Sequence, residues 1–127
     1  MIDALLSLLL VAADQFSKQF ALNQQWPVFY NQRAIFGLVS HFELVQLLAL
    51  LVLFVWFVFR LKQTRPLGSI ERLGWIMIIS GIMSNWLDRL RWGAVVDFID
   101  LKIWPVFNLA DGLIVGGLTL IFLCSLK

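Results

Sequence analysis

Residues 44–59 form the longest stretch of the chain without a charged side chain, and it ends abruptly at Arg60. A backbone crossing hydrocarbon has to satisfy its own N–H and C=O groups, which for a single segment means a helix. The apolar character extends back through Leu38 and Val39, so with His41 and Glu43 at an interface the segment reaches the roughly 20 residues a span needs. Three further apolar segments accompany it: residues 2–22, interrupted by Asp3, Asp14 and Lys18; residues 73–87, bounded by Arg72 and by Asp88 and Arg89; and the C-terminal stretch, in which Asn108 and Asp111 are the polar exceptions. Hydrophobic residues make up 61% of the 127 and charged residues 14%, against about 45–50% apolar in ordinary soluble domains. A disordered chain is thereby excluded. The sequence predicts one all-α membrane domain over residues 1–127, with four spans at about 2–22, 40–59, 73–87 and 108–126.

Arg60, Lys62, Arg65 and Arg72 face a single acid, Glu71, in the segment after the second span. The positive-inside rule puts this segment and both termini in the cytoplasm, and the segments around Asn31 and Asp97 outside. A cleaved leader is disfavoured because no basic region precedes the first apolar stretch and Asp14 interrupts it. The other basic residues are scattered, so nucleic acid is not an expected partner. Cys124 is the only cysteine and His41 the only histidine. No cysteine metal site, no His-Glu-x-x-His motif and no plausible Ser-His-Asp triad follows from that inventory.

Chemistry is carried instead by acids at the ends of spans, where an ionisable group costs roughly 2.5–3.5 kcal/mol on insertion scales. Asp14, Asp88, Asp97, Asp100 and Asp111 all fall on the outer side. Asp14 has Lys18 one turn away at the favourable i, i+4 spacing, and Asp88 and Arg89 have Arg91 and Lys102 as candidate ion-pair partners. Asp97 and Asp111 have no adjacent cation. Two carboxylates held close together can hydrolyse a peptide bond, one ionised and activating water, the other protonated and polarising the carbonyl. The segment before Asp111 reads as extended chain entering a helix with Asn108 as N-cap, which places Asp111 at N3 beside free N–H groups. Asp111 is therefore expected to hold the charge and Asp97 the shared proton. A proton- or cation-coupled transport protein would use the same acids. Gly112, Gly116 and Gly117 are expected to pack closely against another helix, and Trp26, Trp92 and Trp104 to lie at the interface.

Taken in order, Asp14-Gln15-Phe16-Ser17-Lys18, Asn31-Gln32-Arg33-Ala34-Ile35-Phe36-Gly37, the Asn85, Asp88 and Arg89 signature, Val95-Val96-Asp97-Phe98, and Phe107-Asn108-Leu109-Ala110-Asp111 resemble the motifs of the bacterial lipoprotein signal peptidases, also called signal peptidase II. The resemblance implies an intramembrane aspartyl endopeptidase of four helices with a small β-structured region on the outer, periplasmic face. It implies Asp97 and Asp111 as the catalytic pair, and Asp14, Lys18, Asn31, Asn85, Asp88, Arg89, Asn108 and Ala110 as residues that shape the site. Arg33, Phe36 and Gly37 fall in the implied substrate loop. The implied substrate is a diacylglyceryl-modified prolipoprotein, cut on the N-terminal side of its lipidated cysteine by a monomer in the bacterial cytoplasmic membrane, in contact with membrane lipid and without cofactor or metal. Arg33 stands where the family usually has glycine, and Ile35 where it has a small residue. Ser80 and Ser84 replace glycines, which is expected to alter how closely that helix packs. A degenerate homologue that binds lipidated peptides without cutting them is the remaining alternative.

Overall fold

The computed structural model describes residues 2–32 and 68–126. The expected span at 40–59 and the expected loop residues Arg33, Phe36 and Gly37 lie outside the described residues. Within them the order of elements is α1 (Ile2–Asn23), β1 (Phe29–Asn31), α2 (Ser69–Trp92), β2 (Val95–Asp97) and α3 (Leu109–Ser125).

Helix α1 ends in a closed turn that its sequence prepares. Gln25 takes a left-handed φ of 54°, so that Gln25 N–H donates to Leu22 C=O at 3.1 Å and Trp26 N–H reaches back to Ala21 C=O at 3.0 Å. This pair of bonds satisfies the last free carbonyls of the helix. Pro27 follows and cannot continue a helix. Helix α2 ends on Gly93, whose φ of 66° is a conformation that glycine adopts without a Cβ clash.

The expected 73–87 helix is too short: α2 extends over Ser69–Trp92. A hydropathy run stops at the first charge, whereas a helix stops where its backbone runs out of partners. At the N-terminal end Arg72 approaches Asp3 of α1 at 3.7 Å on the surface. At the other end Asp88 is buried and taken up by α1. Contacts between Ser7 and Ser80, and between Gln15 and both Ser84 and Asp88, advance together along both chains, so α1 and α2 run parallel. The paired positions Gly74 with Gly117 and Gly81 with Ala110 make α3 antiparallel to α2.

Those glycines are where α2 and α3 approach most closely. A methyl group on Gly117 would lie 2.5 Å from the carbonyl oxygen of Gly74, and one on Gly81 the same distance from that of Ala110. Gly117 thus fulfils the expectation for the small-residue stripe and Gly116 abuts Met77, but Gly112 has no neighbour within reach among the described residues. Ala110, Leu113 and Gly117 are the buried residues of α3, at the i, i+3, i+7 spacing of one face, and Gly112 falls off that face. Ser80 and Ser84 are fully buried, and their hydroxyls bond α2 to α1.

The two strands form an antiparallel pair with Phe29 opposite Asp97, Tyr30 opposite Val96 and Asn31 opposite Val95. An isolated bridge between Ile99 and Phe107 then closes the loop that leads from β2 into α3. Among the described helices, α1 is long and apolar enough to cross a membrane, and α3 is a shorter apolar helix of 17 residues. Trp26, Trp92 and Trp104 are about half exposed.

Gly117→Ala is expected to lower the unfolding temperature in detergent, by the equivalent of about 1–3 kcal/mol, because the atom it meets is backbone and cannot swing aside. Gly112→Ala adds a methyl that meets nothing among the described residues and is expected to stabilise by up to about 1 kcal/mol through helix propensity. Equal effects of the two substitutions would contradict the packing described.

Candidate active site

Asp97 is the last residue of β2 and is buried. Asp111 lies in the first turn of α3, whose start the local sequence dictates. The Asn108 side chain accepts the Asp111 N–H at 3.0 Å, and the Asp111 carboxylate accepts the Asn108 N–H at 3.3 Å. This reciprocal capping box satisfies two of the N–H groups left over at a helix start, and it is the N-cap and N3 arrangement expected from sequence.

Asn108 also joins the two acids. Its Nδ2 donates to Asp97 Oδ1 at 2.7 Å and to Asn85 Oδ1 at 3.1 Å. Asn85 in turn donates through Nδ2 to Asp111 Oδ1 at 2.8 Å, and Asn31 donates to Asp97 Oδ2 at 3.1 Å. Neither amide is free to flip. Asn85 Oδ1 faces two donors, Asn108 Nδ2 and Lys18 Nζ at 3.1 Å, so its NH2 group must point to Asp111. Arg89, half-buried with a 3.3 Å bond to the Asn85 carbonyl, lies within electrostatic reach of Asp111, Asp97 and Asp88.

Burial pushes the Asp97 carboxyl up to about 6, and the charge of Asp111 adds to the effect. Hydrogen bonds from Asn31 and Asn108 and the charge of Lys18 act in the opposite direction without cancelling it. Below that value Asp97 carries a proton, and above it the group ionises next to a second carboxylate. Asp100 is different in kind. It is exposed, its carboxyl is held below the ordinary range by hydrogen bonds from Lys102, and its ion pair with Lys102 is 2.5 Å long. It does not join the buried group.

A second layer holds the first. Lys18 Nζ lies 2.6 Å from Asp14 Oδ2 and 2.7 Å from Asp88 Oδ2, with all three side chains at most 3% exposed. The expected pairing of Asp14 with Lys18 is present. The expected pairing of Asp88 with Arg91 or Lys102 is not: its cation is Lys18, seventy positions earlier in sequence, because the parallel packing of α1 on α2 brings that ammonium inward. Asp14 Oδ1 accepts the Ala110 N–H at 2.7 Å, and Asp88 Oδ2 accepts the Val96 N–H at 3.2 Å. Each carboxylate therefore grips the backbone one residue before one of the two candidate acids. Ala110 belongs to the site through this N–H and through its closeness to Gly81.

Asp14, Lys18, Asn31, Asn85, Asp88, Arg89, Asn108, Asp97 and Asp111 are thus one connected group. Sequence reasoning left out Gln15 and Ser84, which bond to Asp88 and to Asp14. Their polarity on otherwise apolar helices was the available signal.

A sequence model of the family described as signal peptidase (SPase) II matches residues 6–127. The chain belongs to the signal peptidase II family. It is 40% identical to a lipoprotein signal peptidase of Moorella thermoacetica, over 94% of this chain and 88% of that protein. A lipoprotein signal peptidase of Clostridioides difficile is 36% identical, over 98% of this chain and 93% of its own length. Among solved structures, a bacterial membrane enzyme determined by the in meso method at 2.3 Å superposes with a TM-score of 0.81 at 22% identity, covering 99% of this chain and 88% of that one. A second, at 1.9 Å, gives 0.79 at 22% identity, with 99% and 93% covered. As a signal peptidase II the protein is a protease of lipoprotein processing. The transport alternative is set aside.

Lys18→Met is expected to lower stability by about 3–5 kcal/mol, since it leaves two buried carboxylates without their cation. Thermal unfolding in detergent checks this, and an unchanged melting temperature would mean that the ammonium does not hold the group together.

Proposed function

We propose that this signal peptidase II is an intramembrane aspartyl endopeptidase in which Asp97 and Asp111 share one proton. It removes the signal peptide from a diacylglyceryl-modified prolipoprotein by cutting on the N-terminal side of the lipidated cysteine. The observation that carries this reading is Asn108, which bonds the Asp97 carboxyl through its amide and the Asp111 backbone and carboxylate through its cap. One residue fixes both acids.

In the reaction Asp111, bonded by Asn85 and the Asn108 N–H, serves as the ionised member and takes a proton from water. Asp97, whose raised carboxyl retains its proton longer than an ordinary aspartate, hydrogen-bonds to the scissile carbonyl as water adds, then transfers its proton to the leaving amine as the C–N bond breaks, and the proton that Asp111 took from water restores the shared one. The neutral amides of Asn31, Asn85 and Asn108 fix both side chains without adding charge that would split the pair. These residues need only water for the hydrolysis.

The proposed topology has four spans in one domain of the bacterial cytoplasmic membrane, with both termini cytoplasmic and the site facing the outer side. The parallel run of α1 and α2 supports it, because two parallel spans need an odd number of crossings between them, and the proposed span at 40–59, with its uncharged stretch at 44–59, supplies one. The basic segment from Arg60 to Arg72 supports the orientation. A lipidated substrate would keep its acyl chains in the bilayer and bring its peptide to the level of the acids. We assign the enzyme as a monomer in contact with membrane lipid, and place the substrate loop at Arg33, Phe36 and Gly37.

The purified enzyme in detergent is expected to cleave a diacylglyceryl-modified lipobox peptide, and Asp97→Asn and Asp111→Asn to lose at least about 1,000-fold in kcat. Activity surviving in either variant would exclude the aspartyl mechanism. The pH dependence has a definite sign. Since Asp97 must be protonated to donate, and its carboxyl titrates at about 6, kcat/KM falls as the pH rises through that value. A profile that rises through pH 6 would reverse the assignment of acid and base.

A further inference from the structure

Gln15 follows Asp14 in α1 and is half-buried at the edge of the site. Its Nε2 donates to Asp88 Oδ1 at 2.7 Å and to Ser84 Oγ at 2.9 Å, with the Ser84 carbonyl at 3.3 Å. Its Oε1 accepts from Arg91 Nη1 at 3.0 Å. The amide has one sensible orientation: the NH2 group faces acceptors and the carbonyl faces a guanidinium.

Ser84 gives this contact its meaning. A hydroxyl inside a helix ordinarily bonds to a carbonyl of its own helix, as Ser80 does to Ile76 at 2.6 Å, Thr119 to Val115 at 2.8 Å and Ser17 to Asp14 at 2.7 Å. Ser84 instead donates across to Asp14 Oδ2 at 2.6 Å, which leaves its oxygen to accept from Gln15. Gln15 therefore reaches Asp88 directly and Asp14 through Ser84. That is a second bridge between the two carboxylates, parallel to the one made by Lys18 and without charge.

The bridge acts at a sensitive point. Lys18 and the Val96 N–H both use Asp88 Oδ2, the latter at 3.2 Å. With Oδ2 alone engaged, the carboxylate could turn about its last torsion, which for this side chain is a broad, soft well. The bond from Gln15 to Oδ1 fixes the plane of the group. Val96 precedes Asp97, so the plane of Asp88 sets where the strand delivers the Asp97 carboxyl. Asp14, held through Ser84, does the same for Ala110 and Asp111.

We propose that Gln15 is a positioning residue for the peptidase reaction, which through Asp88 and Ser84 fixes the spacing of the two backbone N–H groups that precede Asp97 and Asp111. The proposal rests on those two acids being the catalytic pair. The partners of Gln15 among the described residues are Asp88, Ser84 and Arg91 and not the two acids themselves, so its loss is expected to act on kcat rather than on KM.

The test uses the full chain in detergent, with a diacylglyceryl-modified lipobox peptide as substrate. Gln15→Leu keeps the volume and removes both donors, and is expected to lower kcat about tenfold with KM within about twofold, the scale of loss that misplacement of reacting groups produces. Gln15→Glu turns an acceptor toward Asp88 and is expected to lose at least as much. Gln19→Leu, one turn further along α1 where the exposed side chain bonds Asn23 among the described residues, is the control and keeps the parent kcat. A merely structural glutamine is separated by a double-mutant cycle: in the Asp88→Asn background, the loss in single-turnover rate on Gln15→Leu should be clearly smaller than in the parent, because the route through Asp88 is weakened and the one through Ser84 remains. Undiminished kcat in Gln15→Leu, or losses at Gln15 and Asp88 that simply multiply, would overturn this proposal while cleavage by the parent stands. Cleavage that survives Asp97→Asn would instead remove the catalytic reading, and this proposal with it.

Discussion

A buried ammonium between two buried carboxylates is the interaction on which the remaining geometry depends. Lys18, Asp14 and Asp88 are almost wholly withdrawn from solvent, and a buried ion pair repays its desolvation only where geometry is close and the remaining lone pairs are bonded. Here they are. Asp14 accepts from Lys18, Ser84 and the Ala110 N–H, and Asp88 from Lys18, Gln15 and the Val96 N–H. Because two of those donors are backbone groups of β2 and of the α3 start, the ion triad ties α1, α2, the sheet and α3 at one level. Its specificity follows from being completely satisfied, since a half-satisfied network at that depth would favour another packing.

The inner site is built on a different principle, with neutral amides rather than charges between the acids. Lys18 determines which way Asn85 faces, and Asn85 determines that Asp111 receives a donor. Orientation thus passes from the cation to the Asp111 carboxylate through an amide that cannot turn. A charged residue in place of Asn85 or Asn108 would put a charge between Asp97 and Asp111 and shift the protonation of both.

What the sequence made legible was what local chemistry decides. Asn108 as N-cap and Asp111 at N3 follow from four consecutive residues, and the pairing of Asp14 with Lys18 from one turn of helix. The length of α2 was not legible, because Asp88 ends the apolar run and finds its cation on α1. The same long-range contact misdirected the expected partners of Asp88 toward Arg91 and Lys102, its neighbours in sequence. Gly112 was grouped with Gly116 and Gly117 by composition, while helical phase puts it on another face. Gln15 stood inside a recognised motif without an assigned task, since what it does depends on a serine on another helix.

The bond from Asp14 to the Ala110 N–H joins residues 96 positions apart, and this has a consequence for the order of synthesis. A growing chain presents α1 to the membrane long before α3 exists. Before α2 is made, Lys18 one turn along the same helix is already in place beside Asp14, so the two can enter as a locally neutralised pair rather than as separate charges. The carboxylate keeps that partner and adds Ser84 when α2 arrives and the Ala110 N–H when α3 does. The bond between Asp14 and the Ala110 N–H therefore cannot form until α3 has been made.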